Sequence, residues 1–194
     1  MINEARLALL LGLVKEHPSP NYFLQQYMIP PGIASKILSE ARKDVVGKIV
    51  FDLGCGTGRF TIGAALIGAK LAKGFDIDKY VLELAKESAK IIESKVGIFI
   101  TNICKFELAN ALEIKEKCDA VIQFPPLDYS LEFFKKAIEI SNVVYSVHVN
   151  SKRILEKLNE VGKVKVVDRF NYPLVSEEDG VINRGIILVK WSKS

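Results

Sequence analysis

The stretch "FDLGCGTGRF", residues 51–60, decides the fold of this chain. A short run of β-branched and aromatic residues, "KIVFDL" at 48–53, leads into it, and small and apolar residues at helical spacing, "FTIGAALIGA" at 60–69, follow it. Glycine lets the backbone turn sharply and approach a ligand closely, and the open amino end of the next helix attracts negative charge or polar groups. We therefore interpret the stretch as a strand, a glycine-rich loop and a helix.

Strand-like and helix-like runs alternate along the rest of the chain. The further predicted strands are "AKGFDID" at 72–78, "VGIFIT" at 96–101, "CDAVIQF" at 118–124, "NVVYSV" at 142–147, "KVKVVDRFNY" at 163–172 and "RGIILVKW" at 184–191. Helices are predicted at 79–92, 131–140 and 151–161, with Asp78 and Ser151 as N-caps of the first and last. This alternation predicts right-handed βαβ units and a parallel sheet. Two successive strands, joined by a polar link at 176–185, predict an antiparallel hairpin at one edge.

The fold class expected is therefore α/β: a doubly wound, Rossmann-like, seven-stranded sheet with an antiparallel edge strand and an N-terminal helical extension. The chain has 194 residues, 49% of them hydrophobic and 26% charged, which suits one domain over 1–194. We expect residues 1–22 to form an N-terminal helix and joint and 23–194 to form the Rossmann-like body. The apolar residues of "LALLLGLV", 7–14, recur at helical spacing and predict a docking helix.

Composition also limits the partners and the compartment. The run at 7–14 is too short to span a bilayer and lacks the flanks of a signal peptide, so we expect no membrane partner. Cys55, Cys104 and Cys118 are odd in number and outside any CxxC pair, which argues against a disulfide framework or a zinc site and favours the reducing cytoplasm. We expect no metal site. A net charge of +4 is compatible with a nucleic-acid partner without indicating one.

Two carboxylates accompany the glycine loop. Asp52 directly precedes it, and Asp76 ends the second predicted strand, where an acidic group suits the two hydroxyls of a ribose. A carboxylate ahead of the glycines repels a diphosphate but can hold an ammonium group. S-adenosylmethionine carries a ribose, an ammonium and no phosphate, so the charge pattern favours this cofactor over NAD. The alternatives are an NAD-dependent oxidoreductase, which would bind a nicotinamide cofactor, and a tight βα turn without a ligand.

With these residues the chain resembles the class I S-adenosylmethionine-dependent methyltransferases. More narrowly, it is similar from about residue 22 onward to the archaeal and eukaryotic methyltransferase-like family that methylates adenine N6 in small-subunit ribosomal RNA. The segments that carry the resemblance are "LQQYMIPPGIA" at 24–34, "DLGCGTG" at 52–58, "GAALIGAKLAKGFDID" at 63–78, "TNICKFE" at 101–107 and "VVYSVH" at 143–148. The resemblance implies an RNA methyltransferase with ribosomal RNA as substrate and a small activator subunit as a further partner.

The resemblance also implies roles for individual residues. Gln26 and Tyr27 would close over the methionine end of the cofactor, which Asp52 and Gly54 would line. Asp76 would take the ribose and Asn102 would meet the adenine amino group, and Gly56 and Ile77 complete the set of cofactor-binding residues.

Three positions depart from the family pattern in this half of the site. Gln25 replaces an acid, Ile29 replaces a threonine and Asn102 replaces an aspartate. We expect cofactor binding to survive with weaker affinity.

The candidate catalytic residues are Phe124, Pro125, Pro126 and Leu127, which follow the fourth predicted strand. The resembling family has Asn-Pro-Pro and an aromatic residue at this place. An exocyclic amine is a poor nucleophile, and hydrogen bonds from its two N–H groups to the Asn oxygen and the first Pro carbonyl activate it, while the aromatic residue stacks on a flipped-out base. Phe124 has no acceptor and Leu127 has no π face. Gln123 should face away, because successive strand residues point to opposite faces.

Three functional alternatives follow from this departure. The protein methylates adenine slowly, methylates a more nucleophilic atom, or binds cofactor and RNA without turnover. The two histidines supply no evident base: His148 is expected to be structural or to contact substrate, and His17, in the joint, to lie on the surface.

Overall fold

The structure is a computed structural model that describes residues 2–20, 27–176 and 180–193. Its helices are α1 (Glu4–Leu11), α2 (Pro31–Val45), α3 (Arg59–Ile67), α4 (Lys79–Val96), α5 (Ser130–Ile140) and α6 (Lys152–Val161). Its strands are β1 (Ile49–Leu53), β2 (Leu71–Asp76), β3 (Cys104–Leu108), β4 (Ala120–Gln123), β5 (Val143–Val149), β6 (Lys165–Ser176) and β7 (Gly180–Ser192).

The strands form one sheet in the order β3-β2-β1-β4-β5-β7-β6. β1 to β5 pair in parallel, whereas β7 is antiparallel to both of its neighbours, β5 and β6. The direction of winding reverses between β1 and β4, and ligands bind in the crevice outside the carboxyl ends of strands at such a switch point. The expected doubly wound α/β fold with an antiparallel hairpin at one edge is confirmed.

The third strand lies later in the chain than the sequence pattern indicated. Helix α4 continues to Val96 and ends at Gly97, whose φ of 66° gives the left-handed C-cap that favours glycine. A 3-10 turn at Ile100–Asn102 follows, and only then β3. The strand predicted at 96–101 is therefore wrong, because a short apolar run has no period that separates a strand from the end of a helix and its exit turn.

The hairpin is longer than predicted. The polar segment at 176–185 was interpreted as a link, but β6 continues to Ser176 and β7 begins at Gly180, with these two residues paired. Tertiary pairing across the hairpin thus overrides the weak strand propensity of Gly180, Asn183 and Gly185.

The two predicted N-caps differ. Asp78 caps α4, since its Oδ1 accepts a hydrogen bond from the Tyr80 backbone N–H at 2.8 Å. Ser151 precedes α6 at the N-cap position, but its side chain makes no capping hydrogen bond.

Helices cover both faces of the sheet. α1 to α4 pack on one face, where α1 buries Leu7 and Leu11 against α2 and α3, and α5 and α6 pack on the other. The predicted docking helix is confirmed. Among the residues described, no helix is both long and apolar enough to cross a membrane.

Candidate functional site

A cavity of about 420 Å³ opens at the carboxyl ends of the parallel strands. Its wall includes the glycine loop after β1, the end of β2, the turn after β3 and the proline turn after β4. Of the candidate residues, Tyr27, Gly54, Gly56, Asp76, Ile77, Phe124 and Pro126 line it, whereas Asp52, Asn102, Pro125 and Leu127 are not among its lining residues. Gln26 lies outside the described residues.

The glycine loop is held in place by hydrogen bonds that its backbone N–H groups donate. The Gly54 N–H donates to the carbonyl of Phe75 at 2.9 Å, and the Gly56 N–H donates to Asp76 Oδ2 at 2.8 Å. At Gly58, φ is 85° and a Cβ atom would lie 2.7 Å from Phe106 Cε1, so both the conformation and the space require glycine. Gly54 and Gly56 of the loop line the cavity without a side chain, and Thr57 lines it beside them.

Asp76 is the acidic group of the cavity. Its Oδ1 accepts from the Asp78 N–H at 3.0 Å and its Oδ2 accepts from the Gly56 N–H. Burial raises the pKa of this carboxyl, and the backbone hydrogen bonds oppose that shift. The carboxylate is thus fixed in orientation at the end of β2, with remaining lone pairs that suit a pair of ribose hydroxyls.

Asp52 occupies a different place from the one expected. Its Oδ2 accepts from the Thr61 hydroxyl at 2.8 Å and from the Thr61 N–H at 3.1 Å, so it ties β1 to the first turn of α3. Burial raises the pKa of Asp52 to about 7. A buried carboxyl bonded to Thr61 supports the glycine loop from behind, and the contact expected with the methionine end has no counterpart in the cavity wall.

Asn102 lies at the wrong end of the sheet for the role expected of it. The carbonyl of the next residue, Ile103, accepts from the Ala72 N–H at the start of β2, whereas the cavity lies at the other end of the strands. The expectation for Asn102 failed because β3 begins only at Cys104. Beyond the carboxyl end of β3 the cavity is lined by Ala109, Asn110, Ala111 and Leu112, of which Asn110 has the polar side chain. Because β3 was predicted too early in the chain, Asn110 was not identified as a site residue from the sequence.

The proline turn places aromatic rings where the resembling family has a polar group. Phe124 lines the cavity and packs edge-to-face on Tyr172, with ring centroids 5.5 Å apart. Gln123 points away, and its Nε2 donates to Ser146 Oγ at 3.0 Å, as expected. Leu127 packs against the core, while Tyr129, 57% exposed, lines the cavity instead.

The segment before α2 crosses the cavity and is fastened from several directions. The Tyr172 hydroxyl donates to the carbonyl of Met28 at 2.9 Å, and Thr57 Oγ1 donates to Met28 Sδ at 3.7 Å. The buried guanidinium of Arg59 donates to the carbonyl of Ile29. These contacts join residues far apart in sequence, which is why no local pattern indicated them.

Known proteins share this architecture. The family model for ribosomal protein L11 methyltransferase (PrmA) matches residues 36–123. The uncharacterized protein MJ0284 of Methanocaldococcus jannaschii is 38% identical over 157 residues, covering 76% of this chain and 72% of that protein. The rRNA N(6)-adenosine-methyltransferase METTL5 of Danio rerio is 32% identical over 169 residues, covering 80% of each chain.

The chain belongs to the METTL5 family.

It is accordingly a class I S-adenosylmethionine-dependent methyltransferase, and S-adenosylmethionine is its cofactor. A solved structure, described as a putative RNA methyltransferase PH1948 from Pyrococcus horikoshii, is similar to this chain with a TM-score of 0.82 and 28% sequence identity. The similarity covers 100% of this chain and 97% of the chain in that structure. The METTL5-family cofactor fits this cavity, because Gly54 and Gly56 line it without a side chain and Asp76 offers an oriented carboxylate. The negative charge of the Asp76 carboxylate would repel a phosphate group at this place in the cavity.

The two histidines of this METTL5-family chain are in contrasting places. His148 is buried, burial lowers its pKa to about 3, and neither ring nitrogen has a hydrogen-bond partner among the described residues. It is therefore a neutral residue of the core, packed on Phe134. His17, expected on the surface, lines the cavity, so that expectation was wrong.

Proposed function

We propose that this protein methylates a base nitrogen in RNA, with adenine N6 of small-subunit ribosomal RNA as the substrate that the METTL5 family favours. The observation that carries the proposal is the single cavity that joins Asp76 and the glycine loop to the proline turn. A cofactor and a flipped-out base placed at these two ends would meet at Phe124 and Pro126.

The cofactor half is assigned from the residues that reach the cavity. Gly54 and Gly56 line the methionine end, with Tyr27, and by resemblance Gln26, above it. Asp76 binds the ribose hydroxyls beside Ile77. We assign the adenine contact to Asn110 in place of Asn102, because Asn110 follows the end of β3 on the cavity side. S-adenosylmethionine supplies the methyl group when it is bound.

The target half retains one of the two acceptors that activate an exocyclic amine. By resemblance the remaining acceptor is the carbonyl of Pro125, which lies between the lining residues Phe124 and Pro126, while Phe124 provides a ring and no acceptor. The loss of one oriented polar contact reduces a rate by about 10²–10³. We therefore expect slow methylation of adenine N6, and Tyr129, like Phe124, is an aromatic side chain of this turn that lines the cavity.

The test is methyl transfer from tritiated S-adenosylmethionine to small-subunit ribosomal RNA taken from cells that lack this modification. Nucleoside mass spectrometry then identifies the methylated base. Asp76→Ala, which removes the ribose acceptor, serves as the inactive control. Label in N6-methyladenosine supports the proposal. Label in another nucleoside would move the assignment to a more nucleophilic atom. Tight binding of S-adenosylhomocysteine without any label would favour the alternative, a silent cofactor- and RNA-binding relative.

We also propose a small activator subunit that covers the β3 edge of the sheet. Ile98, Phe99 and Leu108 are 47%, 72% and 59% exposed there, and β3 has no strand on its outer side among the described residues. Exposed apolar side chains beside an open strand edge favour a partner that adds a strand. Sedimentation of the protein with a candidate subunit tests this: Phe99→Ser with Leu108→Ser should abolish the complex, and an unchanged complex would refute the assignment.

The reducing cytoplasm is the compartment that we propose. Cys55, Cys104 and Cys118 are free and buried, so their thiols form no disulfide and need no oxidising environment.

The packing of α1 against α2 and α3 supports our interpretation of the chain as one domain.

A further inference from the structure

The joint between α1 and α2 contributes to the cofactor cavity through His17. This side chain is 13% exposed and lines the cavity together with Asp76 and Ile77. The groups that hold it, Asp78 and Tyr80, lie at the start of α4, directly after the end of β2. His17 is therefore next to the part of the cavity that receives the ribose.

The contacts of His17 fix the orientation of its ring. Nδ1 accepts a hydrogen bond from the Ser19 N–H at 3.0 Å, so the proton of the neutral imidazole is on Nε2. Nε2 lies 3.9 Å from Asp78 Oδ2, and the ring packs edge-to-face on Tyr80 with centroids 5.2 Å apart. These contacts hold the ring in place beside the start of α4.

The backbone around His17 is fastened before any ligand arrives. The Lys15 N–H donates to Ser88 Oγ at 3.0 Å, and Lys15 Nζ donates to Glu87 Oε2 at 2.5 Å, both on α4. Glu16 Oε1 lies 3.8 Å from Nη2 of Arg59 on α3. Because the segment is already in place, a ligand that contacts His17 loses little affinity to ordering it.

We propose that His17 binds the adenosine half of the cofactor, by stacking on the adenine or contacting the ribose beside Asp76. The N-terminal extension thereby becomes part of the cofactor site, and the methionine half is left to Tyr27 and the glycine loop. The proposal rests on cofactor binding and not on the RNA substrate, so failure of RNA methylation leaves it unaffected.

Two ligands separate the halves of the site in calorimetric titrations. S-adenosylhomocysteine contains both halves, whereas 5′-methylthioadenosine contains the adenosine half without the amino-acid part. His17→Ala should weaken both by the same factor, about tenfold, which is typical for loss of a stacking ring. His17→Phe should restore most of this affinity, and Tyr27→Ala should weaken S-adenosylhomocysteine far more than 5′-methylthioadenosine. Unchanged affinities in His17→Ala, or weakening of S-adenosylhomocysteine alone, would overturn the proposal.

A second measurement uses the unaltered protein. The chain contains two histidines, so its imidazole region in a ¹⁵N-correlated NMR spectrum holds two ring systems, and His17→Gln identifies one of them. Added 5′-methylthioadenosine should shift the His17 signals and leave those of the buried His148 in place. Saturating 5′-methylthioadenosine without a shift in either ring system would contradict the proposal even if the His17 variants failed to fold.

Discussion

The two halves of the cavity differ in how they are built. In the cofactor half, backbone N–H groups of Gly54 and Gly56 donate to Phe75 and Asp76, so that two short segments, the glycine loop and the end of β2, form this part of the wall. In the target half, Phe124 stands at the position of the resembling family's Asn and contacts Tyr172 of the β6–β7 hairpin. Under the proposed function, this difference places cofactor binding and activation of the target on separate elements, so that one can change while the other is kept.

The largest effect is expected from restoring the resembling family's polar group at position 124. Phe124→Asn should raise adenine N6 methylation by about 10²–10³, because its amide oxygen supplies the second acceptor for the amine. The affinity for S-adenosylhomocysteine should change by less than about threefold, about 0.6 kcal/mol. Initial rates on unmodified ribosomal RNA measure the gain. Phe124→Leu also removes the contact with Tyr172 but adds no acceptor, so equal rates in the two variants would refute the argument.

The reciprocal change removes the main acceptor of the cofactor half. Asp76→Ala should weaken S-adenosylhomocysteine by about 100-fold, since hydrogen bonds to a charged group contribute about 1.5–3 kcal/mol each. Calorimetric titration gives the constants. Asp76→Asn keeps one acceptor oxygen and should fall between the parent and Asp76→Ala; parental affinity in both variants would remove Asp76 from the site.

A pair of glycine substitutions tests how far the loop depends on its neighbours. Gly58→Ala combines a left-handed backbone with overlap against Phe106 and should lower the free energy of unfolding by about 3 kcal/mol. At Gly56 the backbone is also left-handed, but an added Cβ atom would have no neighbour within 4 Å. Gly56→Ala should therefore lower the free energy of unfolding by about 1 kcal/mol. Urea unfolding measures both, and equal losses would show that packing behind the loop contributes nothing.

A separate comparison concerns the pH dependence of stability. The pKa of Asp52 is about 7 in the folded protein against an ordinary value of 3.8, so the folded state holds the proton more tightly. Its contribution to the free energy of unfolding is fully present below pH 4 and is lost as the pH rises to 7, at about 1.4 kcal/mol per pH unit. Asp52→Asn keeps an acceptor for Thr61 and should flatten this decline in urea unfolding at pH 5, 6 and 7. An unchanged slope would assign the decline to other groups.

Most of the sheet and half of the site could be predicted from the sequence, because these features are local. The glycine loop, Asp76 and the alternation of strands and helices each lie within one short segment, and all were found where expected. The end of α4 was missed because Gly97 interrupts an apolar run that is compatible with either a helix end or a strand. That one error displaced β3 and exchanged Asn110 for Asn102.

The remaining part of the site could not be predicted because it is made by long-range contacts. Met28 is held by Tyr172 and Thr57, and His17 by Asp78 and Tyr80, and no periodicity connects such pairs. The same reason explains why His17 lines the cavity whereas His148 lies in the core: the burial of each side chain depends on which surfaces pack together.

The position of β7 has a consequence for how the molecule is made. It is the last strand along the chain, yet it lies between β5 and β6 and pairs with both. A growing chain that ends before Gly180 carries an unpaired edge on β5 in the middle of the future sheet, and such edges invite pairing with other chains. We therefore expect the insertion of β7 between β5 and β6 to be a late step that removes this exposed edge.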